Sequence, residues 1–349
     1  MYTKLLKANY GDSIHISYLD ENGTLKNILI DGGTSQTYIF KDSKKKLADG
    51  DLKKTIEHIK PSKIDLLVLT HIDDDHIHGF LKWFGFDRDA YKSIIEIWFN
   101  SGKAIKKFLD DQRTEIDNLE FRPKTTDTSV LQGVNFENFI LEKGIWNQTI
   151  IKAGDVINID NLTFQILSPN NQKLANVLAK WKEKAPASLE TAPKASDYHK
   201  TIKELIETGD DFDEDTDAFN GSSIAFVLTK GNSNYLFLGD AHPSLVISEL
   251  KKNYNKHKRL KVEYIKLSHH GSKKSNPIEL FELIETYKYL ISTNGKRHGH
   301  PDKVTIARII SVNPNAEFYF NYPELIKKII SDEDRLHYPE VKYLSAEEL

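Results

Sequence analysis

The chain has 349 residues, 39% hydrophobic and 28% charged, with a formal net charge of −3 and no cysteine. That composition excludes a low-complexity chain and a global basic field, and the missing cysteine excludes disulfides and thiolate metal sites. No apolar run reaches membrane length and no signal core precedes Leu5-Leu6, so a soluble cytoplasmic protein with no membrane partner is expected.

In chain order, residues 13–19 alternate apolar and polar side chains, as a half-buried strand does. Asp20-Glu21-Asn22-Gly23 supplies a turn, and Asn27-Ile28-Leu29-Ile30 a second strand ending at Asp31-Gly32-Gly33. A helix over about 50–60 precedes the apolar run Leu66-Leu67-Val68-Leu69, which reads as a buried strand. Ile94 to Phe99 reads as another. Residues 103–150 are helix-prone and polar, and strand character returns from Thr149 to Leu167. The stretch 170–218 is rich in Lys, Glu, Ala and Asp and reads as a helical insertion closing in a solvated acidic loop. Its Asp spacing does not complete a calcium loop, because the turn Gly and closing Glu are missing. Strands resume at 223–228 and 235–240, followed by a helix over 243–254 and a strand over 262–267. A last helix, a strand near Glu317 to Phe320 and a short polar tail from about 322 close a single 1–349 domain.

The chemistry concentrates where the apolar run ends, at Thr70-His71-Ile72-Asp73-Asp74-Asp75-His76. Imidazoles and carboxylates this close, with no thiolate, suit one or two divalent metals bound through nitrogen and oxygen. Four other strand ends carry the same residue types: Asp31, Asp240, His269-His270, and the loop of Lys296, Arg297, His298 and His300. Rigid strands that deliver such side chains to one rim are how an active site is assembled.

Asp31, Thr-His-x-Asp-x-Asp-His at 70–76, Leu-Gly-Asp at 238–240 and His-His-Gly-Ser at 269–272 together resemble the metallo-β-lactamase superfamily. With Gly11-Asp12-Ser13 and Gly299-His300-Pro301, the pattern is similar to the hydrolase domain of ComEC-type DNA-uptake proteins, over most of residues 5–320. The resemblance implies an α/β fold, a four-layer αβ/βα sandwich with two metals at the sheet rim. It implies that His71 and Asp73 hold one metal, Asp75 and His76 the other, and Asp240 bridges both. His269 or His270 would complete the second site, His269 being favoured as nearest its strand, and Asp31 would orient ligands from behind them. Two positions depart from the family. Asp73 stands where a His is usual, and no His precedes the 223–228 strand, where Asn220 or a water would take its place. The added carboxylate makes Mn²⁺ or Mg²⁺ a competitor to Zn²⁺.

Such a centre implies a metal-activated hydroxide, oriented by Asp75, with His300 binding or protonating a substrate oxygen. Lys273, Lys296, Arg297 and His298 place cations for phosphate. The expected activity is therefore a metal-dependent phosphodiesterase, a nuclease acting on DNA or another nucleic acid. A hydrolase of small phosphoesters, lactones or esters is the alternative, and a metal-poor binding or sensor scaffold is a third reading. The 170–218 insertion is a candidate lid or surface for a protein partner.

Overall fold

A computed structural model of the chain describes residues 1–111, 128–182, 196–209 and 211–349. Parts of the helical readings over 103–150 and 170–218 lie outside these residues. The chain divides into two compact units, each built from several segments: residues 1–152, 169–190 and 217–224 in the first, and 153–168, 191–216 and 225–349 in the second. Both are mixed α/β, as expected.

The first unit holds a five-stranded sheet in which sequence order and spatial order coincide: β1 (Tyr2–Leu5), β2 (Ile14–Leu19), β3 (Leu25–Ile30), β4 (Ile64–Val68) and β5 (Ile94–Trp98). The first three strands are antiparallel, and β3, β4 and β5 run parallel. Strand β4 lies inside the parallel part, and Leu66, Leu67 and Val68 are all buried there, which is why its sequence is continuously apolar rather than alternating. Helix α1 (Asp51–Ile59) precedes it and α2 (Asp74–Phe86) follows it. Ile77, Phe80, Trp83 and Phe84 form the buried stripe of α2 and pack with Leu29, Leu67 and Ile97 of the sheet. Helices α3 (Gly102–Asp111), α4 (Thr128–Glu142) and α5 (Asn171–Lys182) add Ile105, Phe136 and Trp181 to that core.

Close backbone approach sets where α2 begins. A Cβ on Gly79 would lie 1.9 Å from the Gly32 carbonyl oxygen, and one on Gly11 would lie 1.9 Å from that of Asp75. The bare backbone lets Gly32 N–H donate to His76 O at 2.6 Å and Asp12 N–H to Asp75 O at 3.1 Å. The start of α2 is thus clamped to the loops after β1 and β3.

The second unit holds an eight-stranded sheet of β6 (Val156–Ile159), β7 (Leu162–Ser168), β8 (Ala225–Lys230), β9 (Ser233–Phe237), β10 (Ile265–Lys266), β11 (Lys288–Ile291), β12 (Glu317–Phe320) and β13 (Lys342–Ser345), again in sequence order. It is antiparallel as far as β9 and parallel from there to β13. Helices α6 (Ile202–Thr208), α7 (Pro243–Lys251) and α8 (Lys303–Val312) bury Ile202, Val246 and Ile306 in a core with Val227, Leu236 and Phe318 of the strands.

Two expectations need correcting. The strand read over 262–267 is only Ile265–Lys266 long, while Leu260–Lys261 pairs in a separate two-stranded ladder with Ile284–Glu285. The stretch from 322 is no loose tail: it holds helix α9 (Asp332–His337), whose Asp334 accepts from Ile202 N–H at 2.7 Å, and β13, which closes the sheet beside β12. Lys342 Nζ meets Glu317 Oε1 across that last ladder at 2.7 Å.

Candidate functional site

Each unit carries a group of metal-donor side chains at the ends of its parallel strands. In the first unit, β3 ends in Asp31, whose left-handed backbone (φ 58°) turns the chain out of the sheet. Its carboxylate is fully buried and accepts three hydrogen bonds. Thr70 N–H donates to Oδ1 at 2.8 Å, and Thr70 Oγ1 and His76 Nδ1 both meet Oδ2 at 2.7 Å. Since the Thr70 hydroxyl donates to Asp31, its oxygen accepts from His71 Nδ1 at 3.1 Å, and Ser223 Oγ stands at the same distance from that nitrogen. The two imidazole rings lie 4.1 Å apart, both buried. Asp73 Oδ2 is 3.7 Å from His71 Nε2.

Residues just past a strand end are expected on a loop at the sheet rim, and Thr70 to Ile72 are outside any helix or strand. Asp73, by contrast, is the N-cap of α2, and Asp75 and His76 lie in its first turn, because acidic side chains favour the positive end of a helix. Asp74 faces elsewhere, toward His78 Nδ1 and the Gln132 amide. Asp12, Asp31 and His76 form a compact buried group whose ligand atoms lie within 4.8 Å of one another. Asn220 is buried in the short helix Ala218–Gly221, where its N–H is capped by Asp217, and Ser223 is the neighbour that reaches His71.

In the second unit, Asp240 follows β9 and His269 and His270 follow β10. The Asp240 carboxylate oxygen lies 3.7 Å from His269 Nε2 and 3.8 Å from His270 Nε2, so it faces both imidazoles almost equally. His270 Nδ1 donates to Ser292 O at 2.9 Å, and His269 Nδ1 lies 3.2 Å from Asp215 Oδ2. Burial disfavours the charged form of His269, but the carboxylates of Asp240 and Asp215 outweigh it and its pKa is raised. His300 packs its ring 5.2 Å from His269, with Nδ1 3.3 Å from Asp302 Oδ2. Its burial prevails over Asp302, and its pKa is pushed down to about 4.

Both His269 and His270 have left-handed backbones, held by a buried brace. The Asn276 amide donates to Ser268 O and Ser272 O, each at 2.7 Å, and the Arg308 guanidinium donates to Lys273 O and Asn276 O. Asp302 accepts from Lys273 N–H at 2.8 Å, which ties the His300 loop to the His-His-Gly-Ser loop. Lys273 is half-buried there, whereas Lys296, Arg297 and His298 are exposed. The acidic stretch 211–217 is not simply solvated. Asp215 reaches His269, Asp213 pairs with Lys274 Nζ at 2.6 Å, and Glu214 caps the start of α7 through Ser244 N–H at 2.7 Å.

The donor chemistry suits a metal. His71, His76 and His270 each have Nδ1 engaged by an oxygen, the arrangement that fixes the ring and makes Nε2 the ligating nitrogen. Carboxylates stand beside them, and the set is entirely nitrogen and oxygen.

Residues 11–133 match the profile of the metallo-beta-lactamase superfamily. The chain is similar to ComE operon protein 3 of Bacillus subtilis (strain 168), with 21% identity over 333 residues. That similarity covers 91% of this chain but 32% of the relative, so the chain spans about a third of the relative's length. Among solved structures it resembles the metallo-beta-lactamase fold protein YhfI from Bacillus subtilis, with 9% identity, 98% and 96% of the two chains covered and a TM-score of 0.41. It also resembles Zn(2+)-bound PqqB from Methylobacterium extorquens, with 10% identity, 96% and 85% coverage and a TM-score of 0.37. No helix among the described residues is long and apolar enough to cross a membrane.

Proposed function

We propose that the chain is a metal-dependent phosphodiesterase acting on nucleic acid, with Zn²⁺ or Mn²⁺ as its metal. The observation that carries this reading is the shared state of His71, His76 and His270, each held through Nδ1 with a carboxylate nearby. His71, Asp73, Asp75 and His76 of the first unit, and Asp240, His269 and His270 of the second, are the proposed ligands. When bound, a divalent ion supplies Lewis acidity and lowers the pKa of water toward neutrality.

The chain's own residues supply the rest. Asp31 holds His76 in one tautomer, and Thr70 and Ser223 do the same for His71. Asp302 and Arg308 pin the backbone of Lys273, so its ammonium approaches a phosphate oxygen from a fixed stem. At neutral pH His300 is an uncharged imidazole and serves as a hydrogen-bond partner for the substrate. Lys296 and Arg297, exposed on the same loop, suit an extended polyanion more than a small enclosed ester. The motif resemblance to DNA-uptake hydrolases favours the same substrate.

The test is metal content after purification without chelator, then DNA cleavage in Mn²⁺, Mg²⁺ and Zn²⁺ by wild type and Asp75→Asn. Bound metal with Asp75-dependent cleavage is the expected outcome. Bound metal with turnover of bis(p-nitrophenyl) phosphate but not DNA would replace the nucleic acid with a small phosphoester. Near-zero metal would overturn the enzyme reading and leave a binding scaffold.

A further inference from the structure

At the far end of the five-stranded sheet from Asp31, a cavity of about 530 Å³ opens beside the last turn of α1. The strand register sets its floor. Tyr2 stands opposite Ser17, which stands opposite Asn27, and Lys4 stands opposite His15, so these side chains share one face of the sheet. His58 from α1 and Lys60 just beyond it form the opposite wall. Among the described residues the lining contains three lysines and two histidines, and no aspartate or glutamate. Lys54 and Lys60 have carboxylate partners outside the lining, Asp51 at 3.6 Å and Glu57 at 3.0 Å. Lys4 makes no ion pair among the described residues.

The buried histidine of this cavity reports the field inside it. Asn27 donates its amide to Lys63 O at 3.2 Å, which turns its oxygen toward His15 Nε2 at 3.0 Å. The pKa of His15 is lowered chiefly by burial; the Asn27 bond opposes this, and the charges of Lys4 and His58 add to the lowering. The cavity is therefore cationic and has a polar floor. Its lining also has an apolar part in Tyr2 and Leu25, 58% and 53% exposed.

We propose that this cavity binds a nucleoside monophosphate, its phosphate on Lys4 and His58 and its base against Tyr2 and Leu25. Charge-assisted contacts account for the anion and the tyrosine face for a flat ring. The volume falls in the range of roughly 300–1,000 Å³ typical of small-molecule sites. Leu25 opens β3 and Asp31 follows its end, so about 20 Å of strand separates the cavity from the Asp31–His76 pair. The site is thus distinct from the metal-donor group of this unit.

Isothermal titration of the full chain in EDTA, with AMP, adenosine and inorganic phosphate, tests it. AMP is expected to bind saturably, with adenosine and phosphate each at least about tenfold weaker. Lys4→Glu and His58→Glu, both at exposed positions, should each weaken AMP by about tenfold or more with an unchanged thermal midpoint. Asp31→Asn should leave AMP binding intact. No saturable AMP heat, or wild-type affinity in both glutamate variants, would overturn the site. Equal affinity for phosphate and AMP would overturn the nucleoside.

Discussion

Asp31 and His76, 45 residues apart in sequence, share a buried 2.7 Å contact between Oδ2 and Nδ1. One carboxylate thereby sets the tautomer of a candidate ligand and, through Thr70, the orientation of a second, His71. Replacing it with Asn would offer His76 a weaker acceptor. Asp31→Asn is expected to lower metal affinity about 10–100-fold, read by competition with a chromogenic chelator. Unchanged affinity would remove Asp31 from the site.

The Ser223 hydroxyl supports His71 Nδ1 at 3.1 Å. Ser223→Ala leaves Thr70 as the remaining acceptor there, so a partial loss of metal affinity is expected, smaller than for Asp31→Asn. Parallel chelator titrations of the two variants give the order, and a larger loss in Ser223→Ala would contradict it.

A buried ion pair links three helices of the second unit. Lys303 Nζ lies 2.6 Å from Asp334 Oδ2, both essentially without exposure, and Asp334 also accepts from Ile202 N–H at 2.7 Å. It joins the start of α8 to α6 and α9. Asp334→Ala strands the ammonium and should cost about 3–5 kcal/mol in urea unfolding. Replacing both residues with apolar ones of similar volume should cost much less, and equal losses would argue against the pair.

Glu137 of α4 is buried against Ser101 Oγ, and burial raises its pKa above the ordinary carboxylate range despite that hydrogen bond and Lys103. The folded chain then holds this proton more tightly than the unfolded chain. Its stabilising effect is complete below the unfolded pKa of about 4.3 and is lost as pH rises through the higher folded value. The stability of Glu137→Gln relative to wild type should therefore increase from pH 4 toward neutrality. Urea midpoints measured in parallel across that range check the sign.

Gly79 packs its Cα against the Gly32 carbonyl. Gly79→Ala forces α2 away from the Asp31 turn and should cost about 1–3 kcal/mol while also loosening His76. A thermal melt and a metal titration on one sample should move together.

The candidate donor residues were legible in the sequence because strand, turn and imidazole or carboxylate follow one another over a few positions, as in the run from Leu66 to His76. The sequence also exposed the α/β class, since continuous apolar runs mark interior parallel strands. What it hid depends on distance along the chain. Ser223 reaches His71 across 152 residues, and Asp215 reaches His269 from an acidic run whose composition reads as solvated. Asn276 and Arg308 look like ordinary loop and helix residues until the left-handed His269-His270 turn needs their hydrogen bonds. The closing strand Lys342–Ser345 is four residues long and only half-buried, too short for periodicity to separate it from a polar end.

The interleaving of the two units bears on how the protein is made. A chain emerging from the ribosome can build the five-stranded sheet once residue 98 is out, yet Ser223 and the short helix at 218–221 arrive only much later in the chain. Nascent chains halted before that point should hold His71 with one hydroxyl instead of two. The second sheet closes only once Ser345, the end of its last strand, has emerged.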